Sequence, residues 1–322
     1  MFNTRLTELL GVEYPIIGGA MAYLTTGEFA AAVSNAGGFG LISSVSWESK
    51  EELREQIHIC RSKTDKPFGV NIALITRDPA KIDNDIQVVI DEGIEFVETA
   101  ALNPAPFIAR LKEAGIKIMH KCATVKHAQS AERAGADAVT LVGYEAAGHT
   151  GLDEMALSIL IPMAVDSLKV PVIAAGGVAD GRAFLANLAL GASGVQIGTR
   201  FMATQECPAH PRFKELLLRT EATGTVHVER SIGRNYRVLN NDAARRMLEM
   251  EKRGAGIEEL LTIIGRESYT GTVLLGKTDA GAVACGQVVG QLVDIPTVKE
   301  IIDRIIGQAR TITEKLYASS RQ

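Results

Sequence analysis

Two neighbouring apolar runs in the stretch PVIAAGGVADGRAFLANLALGASGVQIGTRFMATQEC (171–207) end in glycine. The run 172–175 closes on Gly176–Gly177, and the run 194–197 closes on Gly198–Thr199. Glycine at such an end lets a ligand reach backbone N–H groups that a side chain would shield. Donors of this kind beside a helix start attract phosphate or another anion. A second glycine-rich segment, GYEAAGHTG (143–151), carries His149 between Gly148 and Gly151, a poor setting for core packing. A neutral imidazole there suits proton transfer near neutral pH, with a structural hydrogen bond as the alternative role. Lys121 could neutralise a negative group on a ring system, and Asn71 could hydrogen-bond the edge of such a ring. Met21, read from its spacing alone, is more often a core residue than a ligand contact.

These residues share a feature that explains their types. Each lies at the end of a short apolar segment, so elements of one kind must bring them together. Apolar runs at 13–21, 39–43, 67–74, 96–99, 116–120, 138–142, 172–175 and 194–197 show little polar alternation, as strands buried on both faces do. Between them, helical spacing predicts helices over 27–35, 51–61, 80–92, from 104, 125–134, 155–167 and 182–190. Thr25 or Thr26 can cap the first of these. Eight alternating strand–helix units predict a TM-free α/β chain folded as a TIM (β/α)8 barrel, whose C-terminal strand ends carry the chemistry. Paired glycine-capped units late in the chain match the phosphate site after strands 7 and 8 of such barrels. No GxGxxG follows the first strand, which weakens a dinucleotide-binding open sheet.

The alternation stops after Cys207. Helical spacing at 213–219, 242–253 and 257–264 predicts a small, mainly helical cap, and VLLG at 273–276 is too short to assign. The expected division is residues 1–206 plus 281–322 as the barrel and 207–280 as a helical cap over its mouth. The small-residue stretch 281–291 returns to the mouth, and an amphipathic helix over 297–316 returns to the barrel wall.

At 322 residues with 46% hydrophobic content, the chain suits one barrel and an insertion. A formal charge of −4 without a basic cluster argues against a nucleic-acid partner. Four scattered cysteines, with no CxxC and no histidine pair at metal spacing, predict reduced thiols, no metal and a cytoplasmic protein. No apolar run reaches the length of a membrane span. The sequence is compatible with a homodimer.

Six segments in order, IIGGAM (16–21), FGVNIAL (68–74), HKCAT (120–124), GYEAAGHTG (143–151), AAGGVADGRA (174–183) and GVQIGTRFMATQE (194–206), resemble the nitronate monooxygenase (2-nitropropane dioxygenase) family. That superfamily includes flavin-type enoyl-acyl carrier protein reductases and NADH:quinone reductases. The resemblance implies a TIM barrel with a helical domain over its mouth and a non-covalent FMN. Carried over by motif, Gly18, Gly19 and Met21 would lie against the isoalloxazine, Asn71 and Lys121 on its polar edge, and Gly148 close by. Gly176, Gly177, Gly198 and Thr199 would hold the phosphate, and Gln287 would contact the flavin from the returning segment. His149 matches the histidine that acts at the substrate. The arginine after GT, at Arg200, and the ECPAHP run (206–211) look closer to the NADH:quinone reductases, although the enoyl reductases also carry GTRF, a similar acidic and AHP segment and a GQ–x–x–G near the end. Thr150 departs from the nitronate enzymes, which often have arginine there. The resemblance therefore implies an NAD(P)H-oxidising enzyme with NADH or NADPH as co-substrate and a quinone-like, small-molecule electron acceptor. Nitronate oxidation and enoyl-thioester reduction are the alternatives.

Overall fold

The computed structural model describes residues 2–74 and 79–321. Eight parallel strands form the central sheet: β1 (Ile16–Gly18), β2 (Gly40–Ser43), β3 (Phe68–Ala73), β4 (Phe96–Ala100), β5 (Lys117–Cys122), β6 (Ala138–Val142), β8 (Val172–Ala175) and β9 (Gly194–Ile197). A two-residue strand, β7 (Gly148–His149), lies outside this sheet. Each strand pairs with its sequence neighbour in the sheet, and β9 pairs back onto β1. A bridge between Ile17 and Phe39 closes the ring, with Gly18 N donating to Phe39 O (2.9 Å) and Phe39 N to Ile16 O (2.8 Å). The result is a TIM barrel, with strand bounds that follow the apolar runs within a few residues.

Strong start signals set the outer helices. Thr26 caps Gly27–Asn35, and Ser49 with Glu52 forms a capping box for Lys50–Lys63. Thr124 caps Val125–Ala134, and Asp180 caps Gly181–Ala189. The helix that should follow β9 is displaced in sequence. After a four-residue turn of helix (Thr199–Met202), the chain leaves the barrel and returns only as Val298–Ser319, started by a Thr297/Glu300 capping box. This last helix lies so close to Gly181–Ala189 that a Cβ at Gly181 would sit 2.5 Å from Ile305 O. Only glycine permits that contact.

The excursion carries helices Pro211–Arg219, Asp242–Lys252, Ile257–Ile264 and Arg266–Val273. It also carries a hairpin that helical spacing does not reveal: β10 (Thr225–Val228) and β11 (Tyr236–Leu239). Both strands have four residues, too short for alternation to register, and no two-residue turn signal joins them. β11 in turn pairs with β7, matching Tyr236 to His149 and Arg237 to Gly148. The barrel loop that carries His149 is thus fixed by a strand of the excursion. A separate apolar cluster around Val228, Val238, Met247 and Leu260 holds the hairpin to its helices.

Candidate active site

A cavity of about 430 Å³ opens at the C-terminal ends of the barrel strands, within the size range of small-molecule sites. Much of its wall is alanine and glycine, which leaves room for a flat ligand. Gly19, Met21, Lys121, Gly148, His149, Gly176, Gly177, Gly198 and Thr199, nine of the residues singled out from sequence, line it together.

Three others do not line it. Gly18 turns its open side to the helix behind β1, where a Cβ would lie 3.0 Å from Val33. Asn71 is buried in the barrel interior one strand repeat below the lining residue Ala73, and its Nδ2 donates to Glu98 Oε2 (2.7 Å). Gln287 sits in the 3-10 turn Gln287–Gln291 between two lining residues, Gly286 and Val288, with its backbone N–H on Glu145 O (3.0 Å).

At one end of the cavity, Gly176 and Gly177 adopt φ of +128° and +66°, backbone that favours glycine. The Gly177 and Gly198 amides donate to no acceptor among the described residues. A Cβ on Gly198 would meet only Met21 Sδ, at 4.0 Å, so this glycine faces open space. The following helix is not a free donor end, because Asp180 already accepts from Arg182 N and Ala183 N. Anion-binding capacity therefore rests on the loop amides and on the Thr199 hydroxyl, whose oxygen also accepts from Gly286 N (3.0 Å).

The floor is polar and was not legible from spacing. Glu98 is fully buried and accepts from both Asn71 Nδ2 and Gln196 Nε2 (2.6 Å). Gln196 lines the cavity, and its Oε1 is buried with no partner among the described residues. A buried amide oxygen left unpaired costs free energy, so it suits a ligand donor. The Lys121 ammonium, on the adjoining wall, has no hydrogen bond or ion pair among the described residues. Cys122 also lines the cavity, but burial pushes its thiol up to about 12, which makes it a poor nucleophile.

At the mouth, His149 Nε2 lies 3.1 Å from Glu229 Oε2, and the Tyr236 ring is 4.6 Å from the imidazole. Tyr269, from the excursion, also lines the cavity and packs at a tilt against Tyr23, with ring centroids 5.8 Å apart. Burial, then the Glu229 carboxylate, raises the Tyr236 hydroxyl above its ordinary range. Thr150 is buried beside His227 (Oγ1 to Nε2 3.3 Å), and burial with Arg237 and Arg230 pushes that imidazole down to about 4. Neither Glu229 nor Tyr236 gave any sequence signal, because they reach the site only through the hairpin.

Arg200 and the run after it are fastened elsewhere. The Arg200 guanidinium is buried and donates to Asp294 Oδ1 (2.6 Å) and to Asp294 O (3.2 Å). Glu206 accepts from Val298 N (3.0 Å), and His210 caps Pro211–Arg219 through Arg212 N (3.1 Å). These residues anchor the excursion and the returning helix. None of the three lines the cavity.

A family model described as nitronate monooxygenase matches residues 3–308. The chain belongs to the nitronate monooxygenase family. It is accordingly an oxidoreductase, from a flavin-dependent family. The structure of FabK from Thermotoga maritima superposes with a TM-score of 0.91 at 40% identity, covering 98% of this chain and 99% of that one. A Mycobacterium tuberculosis protein named (3aS,4S,5R,7aS)-5-hydroxy-7a-methyl-1-oxo-octahydro-1H-indene-4-carboxyl-CoA dehydrogenase is 34% identical over 96% of both chains. A probable nitronate monooxygenase of Staphylococcus aureus is 33% identical over 78% of this chain and 82% of its own.

Proposed function

We propose that this family member is an FMN-dependent oxidoreductase that oxidises NAD(P)H and reduces the acyl part of a thioester. The observation that carries the FMN assignment is the pairing of free loop amides at Gly177 and Gly198 with an open, alanine-walled slot leading away from them. Gly176, Gly177, Gly198 and Thr199 would hold the phosphate. Gly19, Met21 and Gly148 would bound the ring system, Lys121 would balance charge at its edge, and the Gln196 oxygen would accept from it. Asn71 acts through Glu98 and Gln196, and Gln287 through the fold of its 3-10 turn. FMN, when bound, supplies hydride acceptance and donation; the protein binds, orients and excludes water.

His149, at the mouth, serves proton transfer to or from the second substrate. The thioester is favoured over a quinone because the residues behind the quinone expectation, Arg200 and the 206–211 run, are structural anchors. The relative named for a CoA thioester, by contrast, matches this chain nearly end to end.

An anaerobic stopped-flow comparison tests the reading. NADH or NADPH should bleach the flavin, and crotonyl-CoA should restore its colour faster than a quinone does. Bleaching by propionate-3-nitronate but by neither nicotinamide would replace this reading with nitronate oxidation. His149→Ala should keep FMN and lose roughly 10²-fold or more in turnover, the typical worth of an acid–base group.

A further inference from the structure

Glu229 is 2% exposed, whereas the His149 side chain that it meets is 47% exposed. The nearest cation to that carboxylate, Arg234, is 3.9 Å away, beyond hydrogen-bond range, so the imidazole is its direct partner. A carboxylate buried to this degree needs such a partner. It accepts and does not donate, so the hydrogen between them belongs to His149 Nε2. In a neutral imidazole that leaves Nδ1 bare, and Nδ1 has no protein partner among the described residues.

The backbone shows that this contact is held against a cost. Glu229 sits at φ +66°, a left-handed conformation that a non-glycine residue adopts only at a cost. The strand pairing of Tyr236 with His149, and the Tyr236 ring against the imidazole, fix the other side of the ring. Barrel loop and excursion hairpin therefore meet along the β7–β11 pairing, and the His149–Glu229 hydrogen bond joins their side chains there.

We propose that Glu229 is the positioning residue of His149: it locks the imidazole in the Nε2–H tautomer and leaves Nδ1 as the atom that exchanges a proton with the substrate. The assignment rests on the reading of His149 given above. It also makes the excursion a working part of the site, since the barrel alone supplies an imidazole with no fixed tautomer.

The test uses the full-length, FMN-loaded protein labelled with [15N]histidine. Two-bond 1H–15N correlation at alkaline pH, where imidazoles are neutral, reports the tautomer of each of the six histidines. His149 is assigned by its loss in His149→Ala. The wild type should show His149 as Nε2–H alone, and Glu229→Gln, whose amide can donate or accept, should show both tautomers. In that variant kcat should fall about 10- to 100-fold, as for other groups that orient a working imidazole, with KM within about threefold. Glu229→Asp should recover part of the loss. A wild-type His149 protonated on Nδ1, or a Glu229→Gln spectrum unchanged from wild type, overturns the proposal; the first needs no variant to fold. Full turnover by His149→Ala would instead remove the catalytic reading of the histidine, and the proton role of Nδ1 with it. A mixed wild-type tautomer alongside an inactive His149→Ala would strike the positioning role alone.

Discussion

Gly198 and His120 illustrate two different constraints at single positions. A side chain at Gly198 would project into open cavity and meet no backbone, so Gly198→Leu should fold normally and yet purify without flavin. The ratio of absorbance near 450 nm to that at 280 nm, beside an unchanged far-UV spectrum, checks this. A flavin-replete Gly198→Leu would remove the phosphate cradle from that loop. His120 is 2% exposed, with its Nδ1 2.9 Å from Thr99 Oγ1, and burial pushes its imidazole down to about 4. The unfolded chain therefore binds a proton below about pH 6.5 that the folded chain refuses until about pH 4. Stability should be full above that window and fall by about 3 kcal/mol as pH drops through it. Urea unfolding at several pH values should show the slope, and His120→Gln should flatten it. The position of both residues at strand ends was legible in the apolar runs. Their environments were not, since which groups surround a strand end depends on strands far away in the chain.

At the level of elements, the barrel strands and most outer helices were readable because each carries its own signal: an apolar run, a capping Thr, Ser or Asp, a helical period. The hairpin β10–β11 was not, because four residues per strand are too few for alternation to rise above chance. The consequence reaches the site, for Glu229 and Tyr236 arrive on that hairpin. Motif reading took Arg200, after GT, only as a feature of the resemblance and gave it no place in the packing. Its guanidinium instead ties the chain after β9 to Asp294. Arg200→Met should lower stability by about 1–3 kcal/mol, the cost of leaving a buried charge-assisted bond unmade, and leave the ranking of acceptors unchanged. A thermal melt and a three-acceptor assay decide it; an altered ranking would restore Arg200 as a specificity residue.

For the molecule as a whole, closure of the barrel through the Ile17–Phe39 bridge makes the eight strand ends a single ring. The excursion covers one side of that ring and is joined to it by β7–β11 pairing, by Arg266 with Glu48, and by Tyr269 against Tyr23. A ligand held by that ring binds the folded chain and not the unfolded one. Free FMN at a hundred times its dissociation constant should therefore add about 2.7 kcal/mol of stability. Stripping it should lower the melting temperature by several degrees, and adding it back should restore both colour and midpoint. A colourless protein whose melting point ignores added FMN would end the flavin assignment.

The sequence by itself determined the eight-fold alternation, the strand ends that bear chemistry, the glycine pairs and the histidine between glycines. These are local properties, carried by runs of a few residues whose backbone preferences and burial do not depend on distant partners. Tertiary structure alone decided that Asn71 donates to Glu98, that Gln196 keeps an unpaired oxygen beneath the cavity, and that His149 meets a carboxylate eighty residues further on. Such pairings depend on register and on the route of the excursion, which the packing of the complete chain fixes and no short segment encodes.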